Sequence, residues 1–317
     1  MRAEQVTDPI TYHGEGPVWA ASWGSAAEGV TAGGGLRWVD MLAGDVLSLR
    51  TDGTVDRTHV GDVAAALRPR AGGGAVVAVE RGFALISPEG ELTTLPELWG
   101  ADAGIRMNEG GCDPDGRFHC GTMAYAKTPG AANLYRLAPG PDGGAGEVDV
   151  VLTGATTSNG LEWSPDGTRA YYNDTPTHEV SVFDWSAEGG LRNRRTFVAP
   201  VLDEHAAAAA TDPEETYEPG SVSVSPDGLT VDSEGAVWVA LNGAGQVHRY
   251  LPDGTLDTVV TVGAKQTTAC ALGGEDLRTL YITTSRENLP DHVQPTAGSL
   301  YAVRVAVPGQ VTAAFGG

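Results

Sequence analysis

The sequence predicts an all-β protein, a six-bladed β-propeller, from three observations. First, a strand–turn–strand unit recurs. Its instances begin near Leu36 (LRWVDMLAGDVLSLR), Ala75 (AVVAVERGFALIS), Arg117 (RFHCGTM, then NLYRL), Arg169 (RAYYNDTPTHEVSVFDW), Ala236 (AVWVALNGAGQVHRY) and Thr279 (TLYITT, then SLYAVRV). Their starts lie roughly 40 to 65 residues apart, near the length of propeller blades. Second, turn formers punctuate the units: Asp113-Pro114-Asp115-Gly116, Ser164-Pro165-Asp166-Gly167, Asp232-Ser233-Glu234-Gly235 and Pro252-Asp253-Gly254. Pro pre-sets φ, Asp bonds its own backbone and Gly accepts φ > 0. Third, helical signal is poor, and the alanine run at 206–210 is too short to stand alone.

Within the units, Val231, Val237 and Val239 alternate with more polar positions, as in a half-buried strand. Trp19, Trp38, Trp163 and Trp238 are expected to fill space between sheets. Six four-stranded blades need ~24 strands, and 317 residues supply them. Length alone suggests about two domains. No linker interrupts the repeat, so residues 1–317 read as one propeller domain. The Gly-rich stretches at 33–35, 72–74 and 140–146 read as hairpin loops. The alternative is one or two β-sandwiches, which rarely repeat one unit six times.

The net charge of −21 argues against nucleic acid and anionic membrane as partners. Its plain reading is solubility. Cys112, Cys120 and Cys270 are an odd count without C-x-x-C spacing, as expected of buried thiols in a reducing cell. Residues 1–15 hold no apolar core of a secretory signal, and no run approaches the ~20 apolar residues of a membrane span. A cytoplasmic protein, monomeric or weakly homo-oligomeric, is expected.

Three distant stretches each offer one oxygen-bearing side chain beside glycine. They are Glu15 in Gly14-Glu15-Gly16, Asn159 in Ser158-Asn159-Gly160 and Asp227 in Pro226-Asp227-Gly228. Glu, Asn and Asp are hard donors of the kind Ca²⁺ accepts. A repeat that brings them to one axis makes a cation site with open positions, the layout of a metal-assisted hydrolase. Without a Cys or His cluster, a structural zinc site is disfavoured.

Four motifs then carry a resemblance: GEGPVW from Gly14, RMNEGGCDPDGRFHCGTM from Arg106, SNGLEWSPDGTRAYYND from Ser158 and PDGLTVDSEGAVWVA from Pro226. In this order the chain resembles the gluconolactonase/regucalcin family of senescence-marker-protein-like sugar lactonases. The resemblance implies a six-bladed propeller with one divalent cation in its central channel. Members hydrolyse sugar lactones, and relatives hydrolyse other esters or phosphotriesters. The family's metal ligands fall on Glu15, Asn159 and Asp227, and its substrate contacts on Arg106 and Asn108. Departures are Glu109 where many relatives have Asp, His119 where many have an aromatic residue, and Tyr125-Ala126 where regucalcin-type members place an acidic contact. Glu109 and Tyr125 are therefore expected to shape a substrate pocket unlike regucalcin's. An acidic insertion at 201–218 is expected to add to its wall.

Ca²⁺ is the expected ion, with Zn²⁺, Mn²⁺, Fe²⁺ and Mg²⁺ as alternatives. Asp227 is the candidate base, holding the metal with one oxygen and taking a proton from water with the other. Metal-bound hydroxide is the rival, and the sequence leaves both open. Arg106 offers a planar fork to sugar oxygens; its alternative is a surface salt bridge to Asp102 or Glu109. Asn108 is expected to orient substrate or to add an outer metal contact. His119 reads as a packed strand residue rather than a proton shuttle, and Asp174 as support for the ligands. The expected function is opening of a lactone substrate to the sugar acid. The alternatives are a phosphotriesterase or arylesterase on the same metal, and a non-catalytic calcium-binding propeller.

Overall fold

The structure, a computed structural model, describes residues 1–24, 34–200, 224–290 and 293–317. The expected insertion at 201–218 and the alanine run within it lie outside these residues. A short strand, β1 (Glu4–Gln5), opens the chain. Blade A follows with β2 (Gly14–Ala20), β3 (Gly35–Asp40), β4 (Asp45–Leu49) and β5 (Val55–His59). Blade B holds β6 (Ala64–Pro69), β7 (Ala75–Val79), β8 (Gly82–Ile86) and β9 (Leu92–Thr94). Blade C holds β10 (Ile105–Cys112), β11 (Phe118–Ala124), β12 (Ala132–Pro139) and β13 (Ala145–Ala155). Blade D holds β14 (Ser158–Trp163), β15 (Arg169–Asp174), β16 (Val180–Ser186) and β17 (Gly190–Val198). Blade E holds β18 (Ser225–Val231), β19 (Val237–Asn242), β20 (Gln246–Tyr250) and β21 (Leu256–Thr261). Blade F is β22 (Thr267–Gly273), β23 (Thr279–Thr284) and β24 (Tyr301–Arg304), completed by β1.

The fold is thus an all-β, six-bladed propeller, with no α-helix among the described residues. The units seen in the sequence are the second and third strands of each blade. The turn peptides do what their chemistry dictates. Gly116 N–H donates to Asp113 C=O and Gly235 N–H to Asp232 C=O, each at 2.9 Å. Asp113 Oδ1 then accepts from Asp115 and Arg117 N–H, as Asp232 Oδ1 does from Glu234 and Ala236 N–H.

The first strand of each blade neighbours the first strand of the next, and β2 neighbours β22, closing the ring. All six of these inner strands break register at a bulge: between Glu15 and Val18, Ala64 and Ala66, Met107 and Gly110, Ser158 and Leu161, Pro226 and Leu229, and Thr267 and Cys270. A bulge inserts an unpaired residue and re-aims its side chain. Here it recurs at one level of the channel.

Large side chains pack between the blades. Trp38, Trp238, Tyr171, Tyr172, Phe83 and Phe118 are fully buried. Trp163 is buried too, whereas Trp19 is only partly covered and stacks on Tyr281, centroids 6.0 Å apart. The three cysteines are buried and free. Register pairs Cys112 with Phe118 and Cys120 with Gly110, so the two thiols that flank one turn are not opposite each other.

The two chain ends close the ring by different means. β1 pairs with β24, so blade F joins the first and last strands of the chain. Residues 309–317 run across the end of the channel where the inner strands finish. Gln310 Nε2 donates to the carbonyls of Trp163 and Val231, both at 3.0 Å, and Thr312 Oγ1 donates to that of Trp19 at 2.6 Å. Phe315 is fully buried, and its backbone bonds Pro69 and Ala71. Among the described residues, this strap leaves the opposite end, where the inner strands begin, as the channel mouth.

Candidate metal and catalytic site

The residues read from the sequence sit on the inner strands, at or close to the bulges. Glu15 lies on β2, Arg106, Asn108 and Glu109 on β10, Asn159 on β14 and Asp227 on β18. All six are buried. Local backbone explains the glycine beside each oxygen donor. Gly16 has φ +47°, a left-handed conformation that side chains rarely adopt, and its N–H donates to Glu15 Oε2 at 3.0 Å. At Gly160 a Cβ would come within 2.8 Å of Asp227 O, so its absence lets blades D and E close up beside the aspartate.

Asn159 and Asp227 are in direct contact. Asn159 Nδ2 donates to Asp227 Oδ1, and to Thr175 Oγ1 at 2.9 Å. Asn242 Nδ2 donates to Asp227 Oδ2 at 2.9 Å, and Asn173 Nδ2 to the Asp227 carbonyl. These amides hold both the carboxylate and its backbone. Asn173, Thr175 and Asn242 were not singled out from sequence. Each follows or ends a second strand, and that position was the available signal.

Glu15 faces the same space. Burial, then the Asp227 and Glu109 carboxylates, hold its carboxyl well above the usual range. Burial and then Asp227 push Glu109 up to about 8. Burial lifts Asp227 to about 7 against its two amide donors and Arg106. Three buried acids thus act on one another with too little positive charge nearby. Asn159 Oδ1 and Glu109 Oε2 are buried without a hydrogen-bond partner. Both facts fit a hard cation, which would compensate the carboxylates and use the free amide oxygen. No group of three or more His, Cys, Asp and Glu side chains among the described residues could hold a metal by itself. The set that fits here is mixed, Glu15 and Asp227 with the Asn159 amide.

Arg106 is buried beside this space. Its Nη1 donates to Asn108 Oδ1 (2.8 Å) and the Met107 carbonyl (2.9 Å), and lies 3.0 Å from Met41 Sδ. It is no surface salt bridge. Burial lowers its pKa, the direction of a guanidinium short of counter-charge. Asn108 Nδ2 bonds the Ser158 carbonyl at 2.9 Å, which ties blade C to blade D. Glu109 lies deeper. It shares with Arg68, Glu162, Thr230, Gln310 and Thr312 a cavity of about 40 Å³ on the strap side. Tyr125 is half exposed at the end of blade C where Arg106 lies. Its hydroxyl donates to Glu80 Oε1 at 2.6 Å.

Two residues belong to the frame. His119 Nε2 lies 3.0 Å from Asp113 Oδ2, and its ring packs on Trp163 with centroids 5.1 Å apart. Trp238 does the same in blade E, its Nε1 donating to Asp232 Oδ2 at 3.0 Å. His119 thus fills the aromatic slot after its turn. Asp174 is buried, and its carboxylate accepts from Thr156 and Thr157 N–H just before Ser158.

Residues 13–286 match the family described as the SMP-30/Gluconolactonase/LRE-like region. A 6-deoxy-6-sulfogluconolactonase from Pseudomonas putida is 33% identical, over 96% of this chain and 95% of that protein. Regucalcin from Sus scrofa is 28% identical, over 96% and 94%. A crystal structure of regucalcin from Agrobacterium tumefaciens, titled a calcium-binding protein, superimposes with a TM-score of 0.80 at 25% identity. It covers 99% of this chain and 96% of that one.

Proposed function

The chain belongs to the SMP-30/gluconolactonase/LRE-like family, and on that premise we propose that it opens a sugar lactone to the sugar acid with one divalent cation. Glu15, Asn159 and Asp227 would hold the ion. The observation that carries the reading is the buried Asn159–Asp227 contact, with the Asn159 amide oxygen unpartnered and the Glu15 and Glu109 carboxyls near enough to be raised by Asp227. An all-oxygen set is hard, which favours Ca²⁺. The calcium-binding relative agrees. When bound, the cation supplies Lewis-acid stabilisation of the negative charge that builds on the lactone carbonyl oxygen.

This chain's own residues do the rest. Asp227 takes a proton from the attacking water as oxygen adds to the carbonyl carbon. The acyl–oxygen bond of the ring then breaks, and the ring oxygen leaves as a hydroxyl after accepting that proton. Asn242 and Asn159 fix the Asp227 carboxylate during both transfers. Arg106 presents donors to substrate oxygens from a position set by Asn108. Tyr125, anchored by Glu80, stands as a wall of the mouth.

Acid release from a panel of aldonolactones, an aryl ester and a phosphotriester tests the reading, with chelator and after Ca²⁺ return. Lactone turnover that chelation abolishes and Ca²⁺ restores is the expected result. Faster turnover of the aryl ester or phosphotriester would move the assignment to that chemistry. No turnover of any substrate with cation bound would leave a binding propeller.

A further inference from the structure

At the channel mouth stands an acid that no step of this reaction uses. Glu287 follows the second strand of blade F. Its N–H donates to Ser285 Oγ at 2.9 Å, and its carbonyl accepts from Gln266 Nε2 at 3.1 Å. The backbone there is pinned at both groups. Glu287 Oε2 lies 3.7 Å from His13 Nδ1, and His13 Nε2 lies 3.9 Å from Glu15 Oε1. One imidazole ring therefore separates Glu287 from Glu15. Ser285 Oγ, 2.7 Å from His13 Nδ1, fixes that ring. The Glu15 side chain is 4% exposed and that of Glu287 39% exposed, so the pair runs from the channel outward to solvent.

Two contacts of less than 4 Å thus link the Glu287 carboxylate, through His13, to the Glu15 carboxylate in the channel. Among the described residues, His13 is the basic group within 4 Å of Glu287. Loss of the Glu287 charge would remove an acid from the mouth and leave the buried Arg106 less opposed.

We propose that Glu287 sets the charge selectivity of the site, disfavouring lactones that carry an anionic group and so selecting neutral polyhydroxylated ones. This rests on the lactonase reading and names the substrate class within it. The physics is like-charge rejection at the entrance, where specificity comes from disfavouring the wrong ligand. The Glu287 side chain is 39% exposed, so the effect is screened by salt.

The test uses the full chain with saturating Ca²⁺, as wild type and Glu287→Gln. Galactono-1,4-lactone is the neutral probe and glucaro-1,4-lactone the carboxylate-bearing one. The kcat/KM ratio, anionic over neutral, should rise about tenfold in Glu287→Gln, chiefly through KM. The gain should shrink towards 1 M salt, and Glu287→Asp should retain most of the wild-type preference. An equal change on both lactones, or none, overturns the proposal while leaving the lactonase reading intact. Calorimetry with gluconate and glucarate reads the same selectivity without turnover. If no lactone is hydrolysed yet glucarate gains about tenfold over gluconate in Glu287→Gln, the lactonase reading fails and the role of Glu287 stands. If neither turnover nor binding shows charge selectivity, the role fails.

Discussion

Asp40 and Asp174 occupy the same place in two different blades. Each ends a second strand, and each pairs in register with the first residue of its inner strand, Asp40 with Gly14 and Asp174 with Ser158. Each carboxylate accepts from two successive N–H groups just upstream of that residue. For Asp40 these are Tyr12 and His13, at 3.1 and 3.0 Å; for Asp174 they are Thr156 and Thr157, at 3.1 and 2.9 Å. The next residue along each inner strand is Glu15 or Asn159. One device therefore aims two of the three oxygen donors. Asn242 stands at the equivalent register position, opposite Ser225, and bonds the third donor, Asp227, directly.

Asp174→Ala should consequently loosen the cation site more than the fold. Residues that orient ligands typically cost about 10- to 100-fold in metal affinity. A Ca²⁺ titration of the purified variant checks this. Affinity within twofold of wild type would mean that the Thr156–Thr157 turn holds its shape unaided.

Asp227→Asn should lower kcat by at least ~10²-fold even with cation saturating, because it removes the group placed to take the proton. Binding must be measured separately, since the same change removes a ligand charge. Near-normal kcat in cation-loaded Asp227→Asn would exclude Asp227 as the base.

Arg106→Ala should weaken turnover of polyhydroxylated lactones more than that of a small apolar lactone. A hydrogen bond from a charged donor is worth about 1.5–3 kcal/mol, or about 10- to 150-fold. The variant also strips Asn108 Oδ1 of its donor. An equal loss on both substrates would therefore indicate that Arg106 acts through Asn108 and not on sugar oxygens.

The blades were legible because turn chemistry is local. A peptide such as Asp113-Pro114-Asp115-Gly116 forms its Asp113–Gly116 bond wherever it stands. The oxygen donors were legible because each needs glycine nearby, for a positive φ at Gly16 or close approach at Gly160. Glu287 and His13 were not. Both lie beside the inner strands rather than on them, and only ring closure brings residue 13 against residue 287. The strap was hidden for the same reason. Gln310 and Thr312 look like tail residues until the inner-strand ends they cap are known.

His119 illustrates the limit from the other side. Its type suggests proton transfer, yet it is held between Asp113 and Trp163. His119→Ala should leave the pH profile of kcat in place and lower stability by about 2–4 kcal/mol, the range for truncating a large buried side chain. Chemical denaturation and a pH–rate series check the two halves. A displaced acidic limb of kcat would return His119 to the chemistry.

The shared acids give the cation-free protein a distinctive response to pH. Glu15, Glu109 and Asp227 are all shifted upward, Asp227 to about 7 and Glu109 to about 8. An unfolded chain has lost these protons by about pH 5. Between that point and the folded pKa values, the native state holds more protons than the unfolded one, so stability falls as pH rises. His13 and His248 act oppositely, because burial lowers them to about 3 and about 4. Their contribution grows with pH but is complete once the unfolded histidines are neutral, near pH 7. Above pH 7 only the carboxyl effect remains of the two. The Tm of chelated protein should therefore decline from about pH 7 to about pH 8.5. Saturating Ca²⁺ should flatten the decline, because it binds the ionised acids, and Glu109→Gln should reduce it without cation. Thermal melts across that window decide the matter. A flat or rising Tm in the chelated protein would mean that the three carboxyls are not held protonated together.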